Sequence, residues 1–133
     1  MVTISDINPQ RMQAALDDVP HMESVSCDCP KCRRMCDIPC IGTPEDMAKI
    51  AAAGLSAGLA PTTYAPFLLL GIPPVEIVAP IATRKGCVFR SGDGHCLLHA
   101  RGLKPTEGKL ASCKRSPEES IAIPLHILRE WKP

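Results

Sequence analysis

The sequence predicts a small α+β domain in which short helices surround a small antiparallel sheet. Its 133 residues suit one domain spanning 1–133, and 14 prolines with 9 glycines interrupt any long element. Helix-capping patterns alternate along the chain with runs rich in β-branched residues. Aromatic residues make up only 3% of the chain, so the core must be aliphatic. A core of that kind, built from short elements, needs a cross-link.

Three helix starts are marked by a side chain that can cap the helix, followed at once by proline. These pairs are Asn8-Pro9, Thr43-Pro44 and Ser116-Pro117. The first predicts a helix over 10–19. The second predicts a helix to about Ala53, with Gly54 as its stop. The third belongs to a capping box and opens a C-terminal helix, which Pro124 should kink or split.

Two segments predict strands. The first is 75–82, rich in β-branched residues, while the prolines between 61 and 80 predict loops and short extended pieces elsewhere. The second is a hairpin in which 87–90 and 95–99 flank a glycine-rich turn, so that Phe89 pairs with Cys96. Cys87 and Cys96 would then share one face with Cα atoms about 7–8 Å apart. That spacing suits two ligands of one metal better than a disulfide.

Charge and hydropathy restrict the classes of function. The net charge of +1 gives no electrostatic footprint for nucleic acid. Residues 1–20 lack the continuous apolar run of a signal peptide, and the apolar stretch 65–75 is too short to span a bilayer. We therefore expect a cytoplasmic protein without membrane contact, in which thiols stay reduced and dense cysteines bind metal. A secreted disulfide scaffold is the alternative.

The cysteines carry the chemistry that the sequence predicts. There are eight: Cys27, Cys29, Cys32, Cys36, Cys40, Cys87, Cys96 and Cys113. Cys29 and Cys32 form a C-x-x-C pair, a spacing that lets two thiolates converge on one ion. A helical turn starting at Pro30 would place Cys36 on the same face as Cys32. Cys40, after Pro39, would arrive from the loop before the second helix.

Five cysteines within the fourteen residues 27–40 exceed what core packing explains, so we predict that all eight are metal ligands. If any stand outside the site, we expect them to be Cys27 and Cys113. Eight thiolates could fill two tetrahedral zinc sites, and a cubane iron–sulfur cluster would take four of them. Basic neighbours such as Lys31 and Arg34 could offset the negative charge in either case. The predicted cofactor is an iron–sulfur cluster or zinc.

The pattern over about 27–115 resembles the CxxCxxCC family of zinc- or iron-chelating domains, a group of small bacterial proteins. The resemblance lies in the close cysteine cluster, the Thr43-Pro-Glu-Asp helix start, Gly86-Cys-Val-Phe, and Cys96-Leu-Leu-His99 after a glycine turn. It implies metal ligation at Cys29, Cys32, Cys36, Cys87 and Cys96. The chain departs from the family in having no adjacent Cys-Cys pair and a longer gap before Cys113. A related cysteine-rich region occurs in flagellin lysine methylases, so the resemblance is also compatible with an iron–sulfur cluster as the cofactor.

No motif for a nucleophile or a phosphate loop occurs in the sequence. We therefore predict a metal-binding protein with a structural, docking or electron-transfer role and a protein partner. The alternative is a metal- or cluster-dependent enzyme, in which one coordination position stays open for a substrate.

Overall fold

The α+β prediction is confirmed by the computed structural model, which describes residues 8–25, 29–65, 67–68, 71–91 and 96–131. The helices of the described chain are α1 Pro9–Asp18, α2 Pro30–Arg33, α3 Pro44–Ile50, α4 Leu97–Ala100, α5 Thr106–Leu110 and α6 Pro117–Trp131. The strands are β1 Leu59–Tyr64, β2 Val75–Pro80, β3 Ala82–Thr83 and β4 Gly86–Cys87. They form two antiparallel pairs, β1 with β2 and β3 with β4.

The helix starts read from the sequence are confirmed by their caps. The Asn8 side chain accepts hydrogen bonds from the backbone N–H groups of Gln10 and Arg11 at 2.9 and 3.0 Å. At α6, Ser116 and Glu119 exchange the two hydrogen bonds of a capping box. Such signals are reliable because the cap and its target lie within three residues of each other.

The ends of the helices follow the sequence less closely. Beyond α3 the chain makes a π-helical turn, Ala51–Leu55, in which Gly54 has φ 85°, as expected of a glycine stop. We predicted that Pro124 would kink or split this helix, and the split does not occur, because α6 continues as one helix to Trp131. Pro124 itself is buried, as are Ile123 and Ile127 on either side of it. Their packing in the core outweighs the cost of proline inside a helix, about 3 kcal/mol for the lost hydrogen bond and the ring clash together.

The larger sheet joins β1 and β2 in a register that runs from Leu59 opposite Pro80 to Tyr64 opposite Val75. Along β2, Val75, Ile77 and Ala79 are buried and Glu76 is exposed, which confirms a strand with one face on the core. The strand ends at Pro80, two residues before the predicted limit. Its partner β1 lies where the prolines predicted only short extended pieces.

The predicted hairpin of 87–90 with 95–99 is wrong. The chain turns earlier, between β3 and β4, where Gly86 adopts φ 104°. Arg90, instead of Phe89, bridges to Cys96. The segment after Cys96 forms α4 because the Ala100 N–H bonds back to the Cys96 carbonyl at 3.1 Å, and Leu98 then enters the core. Of the predicted turn 91–94, all but Ser91 lies outside the described residues.

The core has two clusters. The first packs α1, β2, α5 and α6 together, with Ala122 and Ile127 fully buried at its centre. The second lies under α3 and includes Ile50, Cys87, Phe89 and Leu98. Trp131 packs against both clusters and donates its indole N–H to the Gly42 carbonyl at 2.7 Å. The segment 38–43 is thereby tied to the end of α6.

Asp46 joins two distant segments of the chain. In the capping box of α3 its carboxylate accepts the Thr43 N–H at 3.0 Å, and it also accepts the Thr106 N–H at 2.9 Å. Burial alone would raise the pKa of Asp46, but the hydrogen bonds from Thr106 and Thr43 outweigh it and hold the pKa below its usual value. The ionised carboxylate therefore stabilises the junction between α3 and α5.

We expect Asp46→Ala to lower the free energy of unfolding by about 2 kcal/mol, since it removes a cap and a charged acceptor of two further donors. Because the folded pKa is lowered, the contribution is present above pH 3.8 and is lost as the pH falls below that value. Urea unfolding followed by circular dichroism at pH 7 and at acid pH measures both effects. The control is Glu45→Ala, which removes an exposed pair with Lys49 and should change stability by about 0.5 kcal/mol or less. Equal effects of the two variants at pH 7 would contradict this role for Asp46.

Candidate metal centre

Three cysteine side chains lie close together at the surface of the protein. Cys29, Cys32 and Cys113 have Sγ atoms that all lie within 4.8 Å of one another. The Sγ atoms of Cys29 and Cys113 are 3.7 Å apart, well beyond the roughly 2.05 Å of a disulfide bond. Cys29 and Cys32 are partly buried, and Cys113 is exposed. Such a group of thiols is able to bind a metal ion.

The first two cysteines are positioned by the turn that the sequence predicted at Pro30. That proline is the first residue of α2, and Cys29 is its N-cap. The Cys29 Sγ accepts the backbone N–H of Cys32 at 3.4 Å. The start of α2 therefore orients the pair and directs a backbone N–H group at the Cys29 sulfur.

The third cysteine comes from a turn 81 positions after Cys32 in sequence. The turn Ser112–Arg115 is closed by the Arg115 N–H bonded to the Ser112 carbonyl at 3.2 Å. The Ser112 side chain, buried, accepts the Lys114 N–H at 3.2 Å. From this turn the Cys113 N–H donates to the Cys32 Sγ at 3.4 Å, so a second backbone donor points at the sulfur group.

Arg115 holds the two parts of this group together. Its guanidinium donates to the Leu110 carbonyl at 2.8 Å and to the Glu23 carbonyl at 2.9 Å. Next to it, the Val25 N–H bonds to the Lys109 carbonyl at 2.9 Å. The chain just before the cysteine cluster is thus fastened to the chain just before Cys113. Nothing in the local sequence around Arg115 indicates this role.

The other predicted ligands divide into two sets. Cys27 lies outside the described residues, and so does the side chain of Cys36, whose backbone belongs to the 3-10 turn Arg34–Asp37. Cys113, one of the two cysteines that we would expect to stand outside the site if any did, has its Sγ in this group. The physical reason is the Arg115 contact, which closes a separation of 84 positions between Cys29 and Cys113.

Cys40, Cys87 and Cys96 lie elsewhere, around a cavity of about 20 Å³ that Arg90 and Lys104 also line. Cys40 follows Pro39 in the connection before α3, as predicted. Cys87 and Cys96 both line this cavity, although the backbone route between them differs from the predicted hairpin. Burial, together with the negative charges of Glu107 and Cys40, raises the pKa of the nearby Tyr64 to about 12.

Comparison with known proteins gives no match to a family model, a curated protein or a solved structure. In the part of the chain that the structure describes, no helix is both long and apolar enough to cross a membrane. What the protein does is therefore inferred from its own side chains, above all from the three convergent thiols.

We expect Arg115→Met to weaken metal binding at this centre by about tenfold, because residues that orient metal ligands commonly contribute that much affinity. The methionine keeps most of the side-chain volume but cannot donate to the Glu23 and Leu110 carbonyls. Competition with a chromophoric chelator measures the affinity. Lys114→Met is the matched control, since Lys114 is the exposed neighbour and its side chain makes no such contact among the described residues. Equal affinities of the two variants would contradict the positioning role.

We also expect mild oxidation of metal-free Cys32→Ser protein to join Cys29 to Cys113, because their Sγ atoms are 3.7 Å apart. A small side-chain rotation closes that gap. Peptide mapping by mass spectrometry identifies the linked peptides, and bound metal should suppress the reaction. Cys29→Ser/Cys32→Ser protein, treated in the same way, should yield far less intramolecular linkage to Cys113. A similar yield from both would show that Cys113 does not lie beside Cys29.

Proposed function

We propose that the protein binds a single zinc ion through Cys29, Cys32 and Cys113, and that this ion is a structural centre. The observation that carries the proposal is the spacing of the three Sγ atoms, all within 4.8 Å of one another. Cys113 comes from a segment distant in sequence from Cys29 and Cys32, and hydrogen bonds from its own N–H and from the Arg115 guanidinium align the two segments. Convergence of that kind is what a metal site needs and what core packing does not require.

The same spacing favours one ion over a cluster. Zinc–sulfur bonds of about 2.3 Å in a tetrahedron place neighbouring sulfurs about 3.8 Å apart. The Cys29–Cys113 separation of 3.7 Å agrees with that value. In a cubane iron–sulfur cluster each thiolate binds a different iron, so the sulfurs stand farther apart than they would around a single ion. Zinc is therefore the better of the two cofactors that the sequence left open.

A tetrahedral centre needs a fourth ligand, for which Cys27 is our candidate. Two residues of chain reach at most about 7 Å, so Cys27 starts within range of a metal held by Cys29. Four thiolates would close the coordination sphere, as in structural zinc sites, and would leave no position for a substrate. Membership of the CxxCxxCC family is part of the same proposal and is supported by the cysteine pattern alone.

The role follows from where the ion would lie. It would join the segment of α2 to the turn 81 positions later, in a chain whose aromatic content is 3%. Cross-linking distant segments compensates for a limited apolar core, and binding of the ion is then coupled to folding. Zinc undergoes no redox change, so a structural role that presents a surface to a protein partner fits better than electron transfer. Reduced thiols are required, which supports the cytoplasm as the location.

Replacing Cys113 tests the proposal. Zinc sites of four ligands bind with about 10–16 kcal/mol, so loss of one ligand should weaken binding by about 100-fold or more. Chelator competition measures the affinity, and thermal unfolding with and without zinc should show a smaller zinc-dependent shift for Cys113→Ser. The exposed Lys114→Ser variant serves as the control and should behave as the wild-type protein. Undiminished zinc affinity of Cys113→Ser would count against the centre.

The identity of the metal is tested on protein purified without oxygen. We expect zinc by elemental analysis and no absorption in the visible region. Iron with inorganic sulfide and a broad visible band would contradict the zinc proposal and would favour a cluster. A fourth ligand that is water, seen by X-ray absorption spectroscopy of the zinc protein, would instead favour the enzyme alternative.

A further inference from the structure

We propose that a cleft beside the contact between Val25 and Lys109 binds a phosphate group, either as the free anion or as part of a small molecule. The cleft measures about 280 Å³. Small-molecule sites in proteins begin at roughly 300 Å³, so this space suits a ligand little larger than the phosphate group itself. Its walls are formed by Ser24, Val25, His99, Gly102, Lys104, Gly108 and Lys109.

The walls come from three segments of the chain that the backbone holds together. Ser24 and Val25 precede the cysteine cluster, while the other lining residues belong to α4, α5 and the connection between them. The Val25 N–H bonds to the Lys109 carbonyl at 2.9 Å, which fixes the first segment against the last. The cleft therefore exists only in the folded chain, as a binding site built by tertiary structure does.

The end of α4 shapes one wall. The Gly102 N–H bonds to the His99 carbonyl at 3.2 Å. The Leu103 N–H bonds to the Leu98 carbonyl at 2.8 Å, which completes a Schellman ending. Gly102 has the φ of 67° that this ending requires, and a Cβ there would meet no atom within 4 Å. Because Leu98 is buried in the core, His99 one position later is exposed at the cleft.

Lys104 is held in the wall by its close approach to α5. A Cβ at Gly108 would lie 2.9 Å from the Lys104 Cε and 3.0 Å from its Cγ, so the lysine stem occupies space that glycine leaves open. Glycine inside a helix is otherwise unfavourable. The Lys104 side chain is half-buried, and a packed stem has less conformational freedom to lose when its ammonium group binds a ligand.

The lining is positively charged and includes no acidic side chain. Lys104 and Lys109 supply two charges, and His99 adds a third when it is protonated. Among the described residues neither lysine forms an ion pair. The charge of Lys109 also acts on Asp46, but that carboxylate is hydrogen-bonded elsewhere and does not line the cleft. A cleft lined by one sign of charge concentrates ligands of the opposite sign.

The chemistry of the lining favours phosphate over other anions. A phosphate group has about 1.5 to 2 negative charges at pH 7 and several oxygen acceptors, which match two ammonium groups, an imidazole and the Ser24 hydroxyl. A carboxylate has only one charge. No lining residue is aromatic, so a nucleobase would find no surface on which to stack. The ligand class is therefore free phosphate or a small phosphate monoester without an aromatic ring.

Solvated surface lysines are the competing explanation, because lysine is mostly exposed in proteins. Lys109 is exposed and agrees with that explanation, whereas Lys104 is half-buried against Gly108. The two explanations differ in whether an anion binds at this place or is only attracted by the net charge of the protein. A comparison of variants that change the net charge equally separates them.

The experiment is isothermal titration calorimetry of the full-length chain at constant ionic strength, with inorganic phosphate, glycerol 3-phosphate and acetate as the probes. We expect saturable binding of a phosphate probe, with acetate at least about tenfold weaker because it offers one charge fewer. Lys104→Met/Lys109→Met should weaken phosphate binding by about 100-fold, since it removes two charged donors. The control Lys49→Met/Lys85→Met removes two exposed lysines outside the cleft and should bind as the wild-type protein.

Three results would overturn the site: no saturable binding of either phosphate probe, acetate bound as tightly as phosphate, or equal losses in the two double variants. Whichever phosphate probe binds more tightly identifies the source of the group. If Lys104→Met/Lys109→Met does not fold, Lys109→Glu replaces it, because the Lys109 side chain is exposed and only its backbone carbonyl holds Val25. Undiminished phosphate binding by Lys109→Glu would contradict the proposal.

The place of binding is tested by nuclear magnetic resonance. Addition of the tighter phosphate probe should shift the ring signals of His99, assigned with His99→Gln, and leave those of His126 unchanged, because His126 lies on α6 outside the cleft. Unchanged His99 signals at saturation would show that phosphate binds elsewhere. None of the lining residues is a proposed zinc ligand, so this inference and the zinc centre stand or fall separately.

Discussion

The contact between residues 23–25 and residues 109–115 is the constraint on which the cysteine arrangement depends. The Arg115 guanidinium and the Val25 N–H together fasten two stretches of chain that are almost ninety positions apart in sequence. Closing a loop of that length has an entropic cost that grows only slowly with length, so a few well-placed hydrogen bonds can maintain it. Without this contact, the C-x-x-C pair on α2 would have no third thiol beside it.

Sequence predicted those features whose causes are local. The caps at Asn8, Thr43 and Ser116 were found because each acts on backbone groups within three residues. The turn at Pro30 followed from proline and the C-x-x-C spacing in the same way. The hairpin was wrong because the short apolar run 96–98 fits a short helix as well as a strand, and contact of Leu98 with the core decided between them.

The candidate metal site, too, could be predicted from the sequence only where its causes are local. Spacing alone paired Cys29 with Cys32, but no pattern near Cys113 distinguishes it from a solitary cysteine. Its membership depends on a side chain two positions later that bonds to carbonyl groups elsewhere in the fold. Nor could spacing show that Cys40 lines the same cavity as Cys87 and Cys96. Long-range contacts of this kind leave no periodic signal in one sequence.

The position of Trp131 at the end of α6 determines what its fluorescence can monitor. Trp131 is the sole tryptophan, it touches both core clusters, and its indole N–H is bound to the carbonyl just before α3. Its emission therefore depends on both halves of the interior being assembled at once. The protein thus has an intrinsic fluorescent probe at the boundary between its two core clusters. Loosening of either cluster should change the Trp131 emission, whereas changes confined to the distant surface should not.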